Sequence, residues 1–200
     1  SIIFTLINYF LIVVGVLIFH AAFTYSLLLT SLAKINPFIF FSKMKEAIIF
    51  AFSTSSSSAT MPVTLKTVEE KLGVDKSVSS FCIPLGTTIN MDGTAIMQGV
   101  ATVFIAQVYQ VDLSMMEYLM VIITATLASI GTAGVPGVGL IMLAMVLQQV
   151  GLPVEGIALI IGVDRLLDML RTAVNVSGDA TISCIVANSE NQLSRKDFIS

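Results

Sequence analysis

Long apolar runs broken by short polar clusters set the pattern of this chain. Ile2 to Ala33 is apolar apart from Asn8, His20 and a few hydroxyls. That length suffices for one tilted transmembrane helix. Lys34, Lys43 and Lys45 then mark an aqueous loop, so the first unit covers residues 1–42. In 43–76, apolar Ala47 to Phe52 runs into Ser53-Thr54-Ser55-Ser56-Ser57-Ser58-Ala59-Thr60, followed by Pro62 and a more polar arm. Serine clusters and proline interrupt helices. A surface Ser-rich linker fits this pattern. So does a re-entrant hairpin, in which a helix breaks and a second helix returns to the same side. Such a break at membrane depth needs cover from protein or a water-filled cavity.

Residues 77–110 form a second apolar span, interrupted by Thr87 to Thr94. An aspartate at mid-membrane costs about 2.5–3.5 kcal/mol on insertion scales, so Asp92 should be paired or coordinating. In 114–151, four glycines and Pro136 between Ser129 and Gly139 split an apolar run. Small-residue helix packing accounts for them, and so does a second hairpin whose backbone approaches a ligand. The last span, 155–190, carries Asp164, Arg165, Asp168, Arg171, Thr172, Asn175 and Asp179.

Composition turns these runs into membrane spans. Only 12% of the 200 residues are charged and 56% are hydrophobic, against about 25% charged in soluble domains. No Lys or Arg occurs between Ser77 and Asp164. Lysines gather before the second span, and Arg195 and Lys196 follow the last. The positive-inside rule puts both groups in the cytoplasm. Full-length spans in place of hairpins would scatter the lysines over both sides. The charges therefore favour two re-entrant hairpins of opposite orientation, the first cytoplasmic and the second extracellular, as in inverted-repeat transporters. The predicted class is an all-α membrane protein with transmembrane helices, two re-entrant helical hairpins and a broken helix. It sits in the cell (plasma or inner) membrane, multi-pass, with its C-terminus inside. A net charge of −3 gives no nucleic-acid footprint. Cys82 and Cys184 read as buried free thiols. The chain begins at Ser1 inside an apolar run, as a piece of a longer protein would.

The last span concentrates the chemistry. At about 100° per residue, Asp164, Asp168, Arg171, Thr172, Asn175 and Asp179 share an arc of about 100°. Arg165 borders that arc. Such a stripe faces protein or water and not lipid. A structural ladder of Asp164 or Asp168 with Arg171 is one reading. Three acids and two bases leave net negative charge, however, which calls for a cation or an ammonium group. Arg171 offers a planar fork for a carboxylate, and Asp168 an acceptor for an α-ammonium. Asp179, Asn90, Asp92 and backbone carbonyls make an oxygen environment suited to an alkali ion. No Cys/His cluster points to a transition metal. His20 reads as a packed or interfacial side chain, with a proton relay as the alternative.

Asn90-Met91-Asp92-Gly93-Thr94, the serines Ser55–Ser58, Ala133-Gly134-Val135-Pro136-Gly137 and the Asp164-to-Asp179 pattern together resemble the sodium-dependent glutamate/aspartate transporters (dicarboxylate/amino acid:cation symporters). The motifs stand in the family's order from about Lys34 to Leu193. The resemblance implies an elevator-type transport domain that slides against a trimerisation scaffold, here in part, with a homotrimer in the full-length protein. It implies an acidic amino acid substrate, sodium as the coupling ion, the lipid bilayer as surroundings, and no enzymatic activity. By matching motif, Arg171 would bind the substrate side-chain carboxylate and Asp168 its amino group. Ser57, Thr94, Asn175 and the backbone near Val135 and Gly139 would hold the remainder, with Thr172 nearby. One sodium site would use Gly86, Asn90, Asn175 and Asp179. A second would use Thr88, Ser129, Ile130 and Thr132, and a third Asp92 and Asn90, with Met91 among them. The second hairpin would be the extracellular gate.

One departure stands out. Ser55 occupies a position where some members carry Arg, and Arg165 is the candidate to supply that charge at the first hairpin tip. Competing functions are a sodium-coupled neutral amino acid (serine/threonine) symporter and, from another class, an ion channel. Arg171 argues for an acidic substrate, because a neutral one would leave its guanidinium buried and unpaired.

Overall fold

The structure is a computed structural model that describes residues 2–198. The first long helix starts as α1 (Ile2–Phe19) and continues through π-helical His20–Tyr25, α2 (Ser26–Leu28) and π-helical Leu29–Ala33. Tyr9, Val13 and Leu17 recur every four residues and are buried, while Phe4, Leu11, Ile18 and Phe19 are exposed. One narrow stripe therefore packs on the protein, and the other faces are apolar and open. A helix this long and apolar can cross a bilayer. It ends at Lys34 in the left-handed region, φ 56°.

Asn36 caps the next helix by accepting from the Phe38 N–H at 2.9 Å, and Pro37 at its first position needs no partner. This starts α3 (Pro37–Thr54) six residues before the expected arm at 43. The first helix stops at Ala33, where the apolar run of the sequence ends. Lys43 and Lys45 lie on α3, so the expected aqueous loop shrinks to Lys34–Asn36. α4 (Ser57–Glu70) follows after Ser55, φ 52°, and the capping hydroxyl of Ser56. The interruption is confined to these two serines. Ser57, Ser58 and Pro62 are helical, although a wider break was expected. The Ser56 carbonyl takes both the backbone N–H and the hydroxyl of Thr60, which restarts the helix at once. Lys71 Nζ reaches Glu46 Oε2 at 2.6 Å, so α4 returns antiparallel along α3.

α5 (Lys76–Ile89) is capped by Asp75, whose bonds to the Ser77 N–H and hydroxyl also lower its carboxyl pKa. Asn90 and Met91 leave helical geometry, and α6 (Asp92–Val108) resumes. α7 (Met115–Ser129) opens with a capping box between Ser114 and Glu117. The segment 130–137 is irregular, with positive φ at Gly131 and Gly137. α8 (Val138–Gln149) then packs beside α7.

α9 (Ile157–Ser189) ties the molecule together. Ile160, Leu167 and Val174 join a core with α1, α6, α7 and α8. Val176, Ala180, Cys184 and Ala187 join a second core with α3, α4 and α5. The two cores meet where α9 carries its polar residues.

Candidate functional site

Three interruptions of helical backbone converge on the middle of α9. At the tips of the two helix pairs, Ser56 Oγ donates to the Gly134 carbonyl at 2.7 Å and the Ser58 N–H donates to it at 3.1 Å. The Gly131 N–H donates to the Thr88 carbonyl at 2.7 Å. The Gly93 N–H, at the start of α6, donates to Asn175 Oδ1 at 2.8 Å. Gly134 must lack a side chain, because a Cβ there would stand 2.9 Å from Ser58 Oγ and 3.1 Å from the Thr87 carbonyl. Backbone groups freed by the breaks are thus satisfied by one another and by α9.

The breaks enclose a polar cavity of ≈ 20 Å³, room for one water and far too small for an amino acid. Seven of the expected substrate residues line it: Ser57, Thr94, Val135, Gly139, Asp168, Thr172 and Asn175. Ser55 and Met91 join them. Arg171 does not. It lies behind the wall, 1% exposed, with Nη2 3.6 Å from where a Gly139 Cβ would stand. Its Nη1 donates to Asp164 Oδ1 at 2.8 Å and its Nη2 to Asp168 Oδ1 at 2.8 Å. Asp168 Oδ2 meanwhile accepts from the Gly137 N–H at 3.0 Å. The polar stripe of α9 is inward, and its ladder uses both acids where the sequence suggested either one. Two acids on one guanidinium also remove the argument that a neutral solute would leave Arg171 unpaired. Arg165 is exposed, whereas the hairpin-tip residues Ser55–Ser57 are buried.

Below the cavity, Asp179 is 1% exposed. Its Oδ1 accepts from Asn90 Nδ2 at 3.0 Å, and its Oδ2 has no partner among the described residues. A buried carboxylate oxygen without a donor is costly and suits a cation. Asn90 Nδ2 is also 3.5 Å from the Asn175 carbonyl. Gly86 completes the group: a Cβ there would stand 2.6 Å from Asp179 Oδ1. Gly86→Ala is therefore expected to displace the carboxylate and to lower thermal stability by about 1–3 kcal/mol through overpacking. Thermal unfolding checks this, and an unchanged midpoint would show that the carboxylate has room to move.

The other expected ion ligands divide. Thr88, Ser129 and Thr132 are together, but the Thr88 and Ser129 carbonyls already accept the Gly131 and Thr132 N–H groups. Ile130 follows α7 with its side chain exposed. Met91 sulfur takes Asn175 Nδ2 at 3.2 Å. Asp92 has two partners that sequence reasoning missed. Tyr25 donates its hydroxyl to Asp92 Oδ2 at 3.0 Å, and His20 Nε2 meets the same oxygen at 3.0 Å. The Tyr25 hydroxyl is also 3.2 Å from the Val174 carbonyl. His20 is therefore neither merely packed nor interfacial. The π-helical turn it opens is the local device that swings these residues inward, and π turns often mark functional positions. Polar side chains within an apolar helix were the signal in the sequence. Gln98 was also missed; fully buried, it donates to the Gly139 carbonyl at 3.2 Å.

Comparison with known proteins finds the same segment elsewhere. The sequence is 47% identical to excitatory amino acid transporter 1 of Rattus norvegicus over 187 residues, 93% of this chain and 34% of that protein. It is 47% identical to excitatory amino acid transporter 3 of Oryctolagus cuniculus over 190 residues, 95% of this chain and 36% of that protein. An excitatory amino acid transporter of Caenorhabditis elegans is 47% identical over 178 residues, 89% and 35% of the respective chains. The chain thus spans about a third of the length of these relatives. The profile of the sodium:dicarboxylate symporter family matches residues 1–189, every helix that feeds the cavity included, and the chain belongs to that family.

Proposed function

We propose that this chain is the substrate- and ion-binding portion of a secondary active symporter that couples sodium influx to uptake of glutamate or aspartate. One observation carries the reading. A single helix, α9, holds a buried arginine between two acids and, two turns on, a buried carboxylate with one unpartnered oxygen. The names of the relatives, excitatory amino acid transporters, point the same way.

The Asp168–Arg171 pair has the complementarity of an amino acid's two ends. An acidic amino acid can enter this pair by exchange. Its side-chain carboxylate takes the place of Asp168 on Arg171, and its ammonium takes the place of Arg171 on Asp168. Both charges keep a partner throughout, which avoids the several kcal/mol cost of stranding the buried guanidinium. Ser57, Thr94, Thr172, Asn175 and the backbone near Val135 and Gly139 hold the α-carboxylate and the remaining polar atoms. Sodium is cargo here, bound by Asp179, Asn90 and the carbonyls of Gly86 and Asn175. Further sodium ions use Asp92 with Met91 beside it, and the Thr88, Ser129, Ile130 and Thr132 carbonyls. A cavity of ≈ 20 Å³ must widen to admit substrate. The segment 130–137, with two positive-φ glycines, is the part whose movement opens it. In the membrane, α3–α4 enters from the cytoplasmic side and α7–α8 from outside, the latter serving as the gate. The C-terminus is cytoplasmic, and the full-length protein works as a homotrimer whose transport domains move elevator fashion.

A second reading has one observation in its favour. Because Asp164 and Asp168 already pair the charge of Arg171, a neutral amino acid bound by Thr94, Thr172 and Asn175 would strand no charge. Uptake of radiolabelled aspartate, glutamate and serine into proteoliposomes of the full-length protein separates the two. Sodium-driven accumulation of the acidic amino acids is expected. Sodium-driven serine uptake alone establishes the neutral carrier, and solute-independent current without accumulation establishes a channel.

A further inference from the structure

The chain holds ten lysines and arginines, unevenly placed about the cavity. Eight of them precede Ser77 or follow Ser194, on the side that the proposed topology makes cytoplasmic. The other two, Arg165 and Arg171, lie on α9. Arg171 is buried and taken by Asp164 and Asp168. Arg165 is exposed and forms no ion pair or hydrogen bond among the described residues. At about 100° per residue, Arg165 stands within about 20° of Thr172 and about 60° of Asp168 around α9. Both of those residues line the cavity. Arg165 is three residues before Asp168, about 4.5 Å outward along the axis. At that level Asp168 Oδ2 holds the Gly137 N–H, the end of the segment 130–137, at 3.0 Å. Val135 in this segment lines the cavity and is 46% exposed, so the cover over the cavity is one residue thick there.

We propose that Arg165 is the outer recognition point for the solute: it draws the carboxylate of an acidic amino acid to the mouth of the cavity, beside the segment 130–137, before the exchange at Arg171. This rests on the acidic substrate and the topology proposed above. On that side the chain is otherwise acidic or neutral. The loops carry Asp112, Glu117 and Glu155, and no lysine or arginine stands between Ser77 and Asp164. A solute with net negative charge is repelled by such a surface, and one exposed guanidinium at the entrance offsets that repulsion locally. Its planar fork suits a carboxylate. An unpaired arginine in a membrane-spanning helix also needs water or an anion beside it, and a water-filled entrance supplies both. An acid from the part of the protein outside this segment is the competing partner, and the test separates the two.

The test uses the full-length protein that carries this segment, in phosphatidylcholine vesicles, which keep net lipid charge out of the measurement. Initial rates of radiolabelled aspartate uptake are taken at fixed sodium, with choline chloride varying the ionic strength. At low ionic strength Arg165→Gln should raise KM about five-fold and leave kcat near wild type, the order that one unit charge a few ångström away is worth in water. Added salt should shrink that difference, since it screens exposed charges beyond about 10 Å at 0.1 M. Arg165→Lys should keep the wild-type KM. A wild-type KM in Arg165→Gln overturns the proposal. So does a KM change that salt leaves untouched, and a lowered unfolding temperature beside it would assign Arg165 to an acid outside this segment. Arg165→Cys repeats the comparison on one folded protein, with the wild type as the control for Cys82 and Cys184. Membrane-impermeant thiol reagents applied from the uptake side should lower KM when cationic and raise it when anionic. A thiol that does not react from that side overturns the proposal. Wild-type protein without uptake of acidic amino acids fails the transport reading and this inference with it. Wild-type uptake with an unaltered Arg165→Gln fails this inference alone.

Discussion

Arg171→Cys in the full-length protein is expected to abolish binding of glutamate and aspartate, and also to destabilise the fold. The second half of that expectation comes from the structure. From the sequence, Arg171 reads as a substrate fork whose removal spares the protein. In the structure it is 1% exposed and bonded to Asp164 and Asp168 at 2.8 Å each. Asp164 is itself buried. Removing the arginine leaves both carboxylates without their cation, and for the more buried one, Asp164, such a change costs about 3–5 kcal/mol. A loss of binding by the single variant is therefore ambiguous. The Asp164→Asn, Arg171→Cys double variant resolves it, because it removes the more buried of the two stranded charges along with the fork and leaves Asp168 with the Gly137 N–H. It should recover part of the lost thermal stability and none of the affinity for acidic substrate. Isothermal titration with aspartate beside thermal unfolding of both variants gives the result. Aspartate affinity retained by the stable double variant would remove Arg171 from the substrate site.

The spans and their interruptions were legible because lipid-compatible segments leave little ambiguity. Asn90-Met91 does break a helix, Ser55-Ser56 does separate two, and 130–137 is irregular between two more. Aligning Asp164 to Asp179 on one arc of α9 also anticipated an inward polar face, since burial of charge beside lipid is so unfavourable. Boundaries were less legible. Lys43 and Lys45 suggested a loop, but Asn36 and Pro37 are a strong start signal, and lysine is a good helix former. Ser57 and Ser58 suggested a longer break, but one capping serine suffices. The partners of Asp92 were out of reach for a different reason. His20 and Tyr25 lie 72 and 67 residues away, and a normal α-helical register does not predict where a π-helical turn points them. The size of the cavity was equally hidden, because it depends on how closely Gly134 lets two hairpin tips approach.

Asp179→Asn should produce a protein that folds at least as well as the wild type yet responds poorly to sodium. The asparagine keeps an oxygen for Asn90 Nδ2, the 3.0 Å bond that Asp179 Oδ1 now accepts. What disappears is the negative charge on Oδ2, the oxygen without a partner among the described residues. A buried, unpaired charge opposes folding, so its removal in sodium-free buffer leaves the unfolding temperature unchanged or raised. With sodium the comparison reverses. A ligand that binds only the folded state stabilises it in proportion to the logarithm of its concentration over Kd. The wild type should therefore gain stability as sodium replaces choline at constant ionic strength. The variant should gain little over the same range, with sodium affinity down by at least about ten-fold, or about 1.4 kcal/mol. Substrate binding at saturating sodium tests whether the loss is confined to the ion. A sodium titration that superimposes on the wild type would mean that the unpartnered oxygen serves some other purpose, and that the ion rests on the oxygens around Asp92 instead.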